Sequence, residues 1–502
     1  MTPTILPISS LSPRLEGGQL ARLENSVAKL DRETDVDLRS PAGKDYARPV
    51  MLDIFWRDYA DMAQLSPRMK SLEEAEAQNA GSKSMNARWD ERRQDILNFY
   101  GDDPDDWDRS RLERATARVA NRLRKGSLRV LTLEEVYERS PKNTMWGLPH
   151  MSSDPKLHPE YIERARHISS SDELFPAVGG TRLTARKYGE RSRNRLVWMG
   201  DHAETLYQLQ LFYPVMDAFK EIPIWAAFGG PDPVSNVIAG WLSERTFTSA
   251  DYSRWDASLH PALLDAAAEV LKHWFKDEDI RIGLSRAMIT DVGVVTPDGI
   301  YTGRTRGMPS GSGATIGYNS LCHAILVEYV ADGEDVRYMV FGDDMVSDWS
   351  LPAEEVEEIV SQFGMVMNAD KSDVEVGALH YLQNLYEVGI QEGKGRRSLN
   401  RTLLSMSSYE YFKHKAWNKF SDTMRYVMQV EECRYHEQFP ALFDWLYDHD
   451  KVMKDYDLRE VIQGAGGLET VEEQRGFSEH HRFGVSALES FATVKLWRER
   501  RR

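Results

Sequence analysis

The stretch Asp251-Tyr252-Ser253-Arg254-Trp255-Asp256 governs the reading of this chain. Two later stretches share its weight: Gly307-Met308-Pro309-Ser310-Gly311, followed by Thr315 and Asn319, and Phe341-Gly342-Asp343-Asp344. Just before the first, Thr246-Phe247-Thr248-Ser249-Ala250 is β-branched and aromatic, which predicts a strand that delivers Asp251 at its end. The third lies inside an apolar run from Val336 to Asp348. A Gly before an Asp pair suits a tight turn, so this run predicts a hairpin. The two acidic segments are then expected at neighbouring strand ends.

Between them, Pro261 starts a predicted helix with Leu263, Leu264, Ala267, Val270, Leu271, Trp274 and Phe275 on one stripe. Thr315 to Val330 predicts a long buried helix after a Gly-rich loop. After Leu399 the chain turns helical and aromatic. Upstream, helix-favouring runs extend over Glu73 to Ala80 and Arg109 to Arg124, and Asn143 to Pro149 predicts a loop. Residues 1–60 are rich in Pro and polar residues and predict an extended arm with little core of its own.

Carboxylates gathered at strand ends suit nucleotidyl transfer. In that reaction a 3′-hydroxyl attacks an α-phosphate and pyrophosphate leaves. Two metal ions about 3.5–4 Å apart activate the attacking oxygen and stabilise the leaving one. Magnesium requires hard oxygen ligands, a few of them carboxylates. Asp251 and Asp343 are the expected ligands, with Asp344 auxiliary. An isolated Asp-Asp turn reads as a solvated hairpin; the ordered set of three segments argues otherwise. Asp256, five residues after Asp251, suits a hydrogen bond from a 2′-hydroxyl, with Asn319 and Thr315 beside it; alternatively it caps the following helix. Ser310 and Gly311 belong to a loop suited to phosphate or template backbone. That loop lacks the Lys of a nucleotide-hydrolase P-loop.

The chain has 502 residues and a net charge of −16, the wrong sign for a simple nucleic-acid binder. Charge is unevenly distributed. Arg182, Arg186, Lys187, Arg191, Arg193 and Arg195 face a single acid, Glu190, over fourteen residues. This cluster is expected to neutralise a triphosphate, and Lys371 to protonate the leaving pyrophosphate. Two cysteines, Cys322 and Cys433, exclude a disulfide framework and predict a reducing setting, with Cys322 a core residue. The N-terminus lacks the pattern of a signal peptide. No apolar run reaches spanning length, so a soluble protein is expected.

These residues resemble the viral RNA-dependent RNA polymerases of the picornavirus-like supergroup, picobirnavirus enzymes first and partitivirus enzymes second. The segment from Asp251 is similar to motif A, that from Gly307 to motif B, and Gly342-Asp343-Asp344 to motif C. Phe363-Gly364 through Lys371 is similar to motif D, Arg193 to Val197 to the end of motif F, Tyr381 to Gly389 to motif E, and Thr144 to Pro149 to motif G.

The resemblance implies an α+β right-hand fold in a closed arrangement, with an antiparallel palm sheet, flanking helices and a helical thumb. Its parts map to an N-terminal arm (1–60), fingers (61–240), palm (241–262), returning fingers (263–305), palm (306–395), and thumb with C-terminal tail (396–502). It implies RNA synthesis from nucleoside triphosphates with two Mg2+ ions, Mn2+ being an alternative, and initiation without a primer. Template and product RNA, NTPs and a viral capsid protein are the implied partners of a monomer, working in the virion interior and host cytoplasm. A reverse transcriptase fits less well, because Asp256 and Asn319 oppose it. A catalytically inactive RNA-binding or capsid-associated protein is opposed by the retained acids and Lys371.

Overall fold

The computed structural model describes residues 2–35, 37–81, 85–141, 145–183, 187–190, 194–243, 245–349, 351–368, 372–409, 417–467 and 485–502. At its centre is a four-stranded antiparallel sheet in the order Asp373–Val376, Thr246–Ala250, Asp344–Ser347, Tyr338–Phe341. The last two strands form the expected hairpin, with Asp344 opposite Phe341. Met345 pairs with Ala250 and Val346 with Ser249. One step further along that register, Asp344 and Asp251 stand at adjoining strand ends.

Alternation along these strands divides the core in two. Ala250, Val340 and Met345 join a large cluster with the helices Pro261–Trp274 and Thr315–Ala331. Phe247, Met339 and Val346 point the other way, to the helix Pro231–Trp241 and to Leu379, Tyr381 and Tyr386. Helix Thr315–Ala331 is buried along almost its whole length. A helix apolar all round must lie inside the molecule, so it forms a rigid floor under the acidic strand ends.

A second sheet has five strands, in the order Thr4–Leu6, Gly299–Thr302, Val294–Thr296, Ala177–Leu183, Asn194–Met199. Its one parallel pairing joins Ala177–Leu183 to Val294–Thr296. The hairpin Ala378–Tyr381 and Asn384–Glu387 spans the segment compared with motif E. From Leu399 onward the described residues are helical, as expected, including Leu399–Met406, Lys419–Glu431 and Phe439–His449.

Residues 1–60 depart from the extended arm expected of them. Gly17–Asp31 and Arg48–Asp58 are helices. Leu23, Leu30, Met51, Leu52 and Phe55 are buried. The second helix packs into the core of the C-terminal helices, through Phe55, Met51 and Leu52. Neither helix has a core of its own; each packs against apolar residues from other parts of the chain, and polar composition alone does not reveal that. Among the described residues no helix is long and apolar enough to cross a membrane. Both cysteines are free and buried, and the Cys322 thiol donates to the Leu263 carbonyl at 3.4 Å.

Candidate active site

The Thr246–Ala250 strand ends at Asp251, and the chain there is held by a neighbour. Asp251 N–H donates to Ser372 Oγ at 3.1 Å, Asn368 N–H donates to the Asp251 carbonyl at 2.7 Å, and Asn368 Nδ2 donates to Asp251 Oδ2 at 3.2 Å. Asn368 and Ser372 flank Lys371, so the segment compared with motif D supports Asp251 directly. Sequence reading gave these two residues no role, since nothing in their spacing shows that the chain returns to Asp251. Lys371 itself lies outside the described residues.

The acidic turn is built around Gly342, at φ +63°. Left-handed backbone suits glycine because any side chain there is strained. Asp343 and Asp344 both keep solvent-exposed surface. Protein packed around Asp344 still removes enough water, with Asp343 and Asp251 alongside, to raise its carboxyl to about 7. Crowded carboxylates repel, and one responds by holding its proton. Among the described residues no three metal-ligating side chains converge into a closed cation site. The arrangement is instead an open one. It fits Mg2+, which takes one or two carboxylates and completes its shell with substrate phosphate and water. Asp251 and Asp343 would hold the ions, with Asp344 beside them; the ions would supply the activation of the attacking oxygen and the stabilisation of the leaving one.

Asp256 lies in the short helix Trp255–Ser258. That helix begins after Arg254, a residue in left-handed conformation, without a side-chain cap. The capping role considered for Asp256 is therefore not what it does. Its Oδ1 accepts from Asn319 Nδ2 at 2.8 Å. Burial, reinforced by Asp343, raises its pKa to about 6, against the pull of Asn319 and Arg195.

The loop of Ser310 and Gly311 is tied on three sides. Met308 N–H donates to the Asp256 carbonyl at 2.7 Å. Trp198 N–H donates to Ser310 Oγ at 3.2 Å, and a Cβ on Gly311 would collide with the Trp198 carbonyl. Ser312 Oγ donates to Gln208 Oε1 at 2.6 Å. Thr315 Oγ1 lies 2.8 Å from the Pro309 and Ser312 carbonyls, so its hydroxyl closes the loop. Buried Gln208, on the helix His202–Phe219, is a second support that the sequence did not disclose. Gly147, in the segment compared with motif G, donates to the Gly200 carbonyl at 2.9 Å. Gly200 in turn lies beside Gly311.

Of the basic cluster, Arg182 and Arg195 are directly opposite on paired strands, both exposed. Like charges so placed destabilise a sheet and suit an anion between them. Lys187 is exposed on the connecting turn. Arg186, Arg191 and Arg193 lie outside the described residues.

The site therefore combines crowded carboxylates, a hydrogen-bonded acid–amide pair and a basic hairpin. A profile of the family described as viral RNA-dependent RNA polymerase matches residues 104–439, well over half of the chain. A potential RNA-dependent RNA polymerase of a human picobirnavirus is 24% identical over 276 residues, 52% of this chain and 51% of that protein. The genome polyprotein of human parechovirus 5 is 27% identical over 226 residues, 41% of this chain and 10% of the polyprotein. The matched region thus spans about half or less of these relatives' lengths. The crystal structure of the RNA-dependent RNA polymerase of a human picobirnavirus superposes with a TM-score of 0.81 at 19% identity, covering 97% of both chains. An insertion-loop deletion mutant of that enzyme superposes with a TM-score of 0.76. The fold is the right-hand polymerase fold, and the chain belongs to the viral RNA-dependent RNA polymerase family.

Proposed function

We propose that this chain is an RNA-directed RNA polymerase that joins ribonucleotides on an RNA template by two-metal transfer. The observation that carries the reading is the register of Met345 with Ala250, which leaves Asp344 and Asp251 at adjoining strand ends, with Asp343 at the turn between strands. The ions held there, Mg2+ or Mn2+, would supply charge neutralisation for the α-phosphate. Around them the chain's own residues align the reactants. Asn368 and Ser372 hold Asp251, Asp256 and Asn319 receive the ribose, and the hairpin of Arg182 and Arg195 takes the phosphates. Lys371 is the proposed proton donor to pyrophosphate.

In this reading residues 61–240 and 263–305 are fingers, 241–262 and 306–395 palm, and 396–502 thumb. Likeness to the picobirnavirus protein supports a role in replicating and transcribing a viral genome. A capsid protein as partner, a monomeric enzyme, and work in the virion interior and host cytoplasm belong to the same proposal. The Asp256–Asn319 pair, which suits a 2′-hydroxyl, favours an RNA product over the DNA product of a reverse transcriptase.

The test is incorporation of labelled ribonucleotides on single-stranded RNA without a primer, in Mg2+ and then Mn2+, beside Asp343→Ala. Template-length product from the wild type alone supports the reading. Product from Asp343→Ala within about tenfold of wild type would refute the metal assignment. If product appears only with an annealed primer, primer-independent initiation is wrong while the polymerase reading stands.

A further inference from the structure

The turn that carries Asp343 and Asp344 is gripped at Gly342 on both of its peptide groups, and both grips come from helix Thr315–Ala331. Gly342 N–H donates to Ser320 Oγ at 2.9 Å. The Gly342 carbonyl is 3.0 Å from His323 Nδ1. A carbonyl only accepts, so Nδ1 carries the proton. Ser320 and His323 are three residues apart, on one face of the helix. Ser320 is anchored in turn, its Oγ donating to the Ile316 carbonyl at 2.8 Å.

His323 is fully buried, and its Nε2 finds no hydrogen-bond partner among the described residues. An imidazole that satisfies one nitrogen and leaves the other unsatisfied is an expensive filler for an apolar site. What it supplies is a single donor aimed at Gly342. Its ring also packs 4.3 Å from Trp255 and 5.2 Å from Tyr252, centroid to centroid. Both belong to the segment that bears Asp251 and Asp256. One side chain thus joins the helix that carries Thr315 and Asn319 to both acidic segments.

We propose that His323 is a positioning residue of the active site. With Ser320 it fixes the peptide planes on either side of Gly342, and so the direction in which Asp343 and Asp344 present their carboxylates to a divalent metal. The inference rests on the polymerase reading above. It differs from a simple core histidine in requiring the Nδ1–H donor, not the ring. An asparagine Nδ2 is as many bonds from Cα as Nδ1 and can donate from the same place; leucine fills similar space without donating.

The test compares wild type, His323→Asn, His323→Leu and Ser320→Ala in three measurements: thermal melting, Mn2+ binding by electron paramagnetic resonance with ATP present, and steady-state incorporation. Loss of an outer-shell contact typically costs 10–100-fold. His323→Leu is therefore expected to weaken Mn2+ binding and lower kcat by about tenfold or more, with KM for NTP changed by less than about threefold. His323→Asn should recover most of both. Ser320→Ala should resemble the leucine variant more mildly.

Equal impairment of the asparagine and leucine variants, or wild-type Mn2+ binding by both His323→Leu and Ser320→Ala, would overturn the proposal. If His323→Leu melts below the assay temperature, Ser320→Ala and His323→Asn decide by the same criteria. Wild-type Mn2+ binding that Asp343→Ala leaves unchanged would overturn the polymerase site itself, and the inference with it.

Discussion

Asn319 Nδ2 donates to Asp256 Oδ1 at 2.8 Å, joining the long buried helix to the segment that bears Asp251. Asn319 Oδ1, buried, is left without a partner among the described residues. The pair thereby offers unfilled acceptors on a rigid support. Asp256→Ala is expected to weaken the preference for ribo- over deoxynucleotides by about tenfold or more, the worth of one or two hydrogen bonds. RNA binding should change little. Competition between ATP and dATP measures the first and filter binding the second; unchanged sugar preference would remove Asp256 from this role.

The same carboxyl predicts a pH dependence. Its pKa is raised to about 6, so acceptor strength is lost as pH falls through that value. Sugar discrimination by the wild type should decline between pH 7 and 5, while Asp256→Asn should show a flat profile over that window.

Asn368 contacts Asp251 through both its backbone and its amide. Asn368→Leu keeps the branching at Cγ and removes the side-chain donor. Activity is expected to fall by about 10–100-fold, as for other residues that orient a metal ligand, with the melting temperature little changed. Near-wild-type turnover would mean that the backbone contacts alone hold Asp251.

Gly311→Ala places a methyl against the Trp198 carbonyl. Backbone cannot yield as a flexible side chain does, so the loop must move. The expected cost is about 1–3 kcal/mol of stability, read by denaturant titration, with a loss of activity that exceeds the loss of folded protein. Gly18→Ala, where a Cβ meets nothing, is the control.

Glu204 is a buried acid on the helix beneath the Ser310–Gly311 loop, and desolvation with Asp201 nearby raises its pKa to about 8. An acid whose folded pKa lies above its ordinary value of 4.5 contributes stability that is complete below pH 4.5. That stability is lost as pH rises to 8. Glu204→Gln should therefore become progressively more stable than wild type between these values, and the difference should level off above pH 8. The plateau is expected on the order of a few kcal/mol. Parallel stability curves for the two proteins across this window would show that Glu204 does not titrate in it.

The local sequence was enough to find the acids. Strand propensity before Asp251, a Gly-Asp-Asp turn between apolar strands and a Gly-rich loop before an apolar helix are all short-range signals. Each is set by backbone sterics and side-chain periodicity within about ten residues. Even the central hairpin and the helices Pro261–Trp274 and Thr315–Ala331 follow from them.

Tertiary structure alone decided what surrounds those acids. Asn368, Ser372, Gln208, Ser320 and His323 are ordinary residues whose meaning comes from a partner distant in sequence, because hydrogen-bond geometry is fixed by the packing of whole elements. The helices of residues 1–60 show the same limit: the apolar face of Arg48–Asp58 is completed by the C-terminal core, and that of Gly17–Asp31 by residues such as Phe175, Val178 and Val295. The chain's own order of residues determined which acids stand at the strand ends. Only the folded molecule determined how they are aimed, because aim depends on distances between segments that no local propensity encodes.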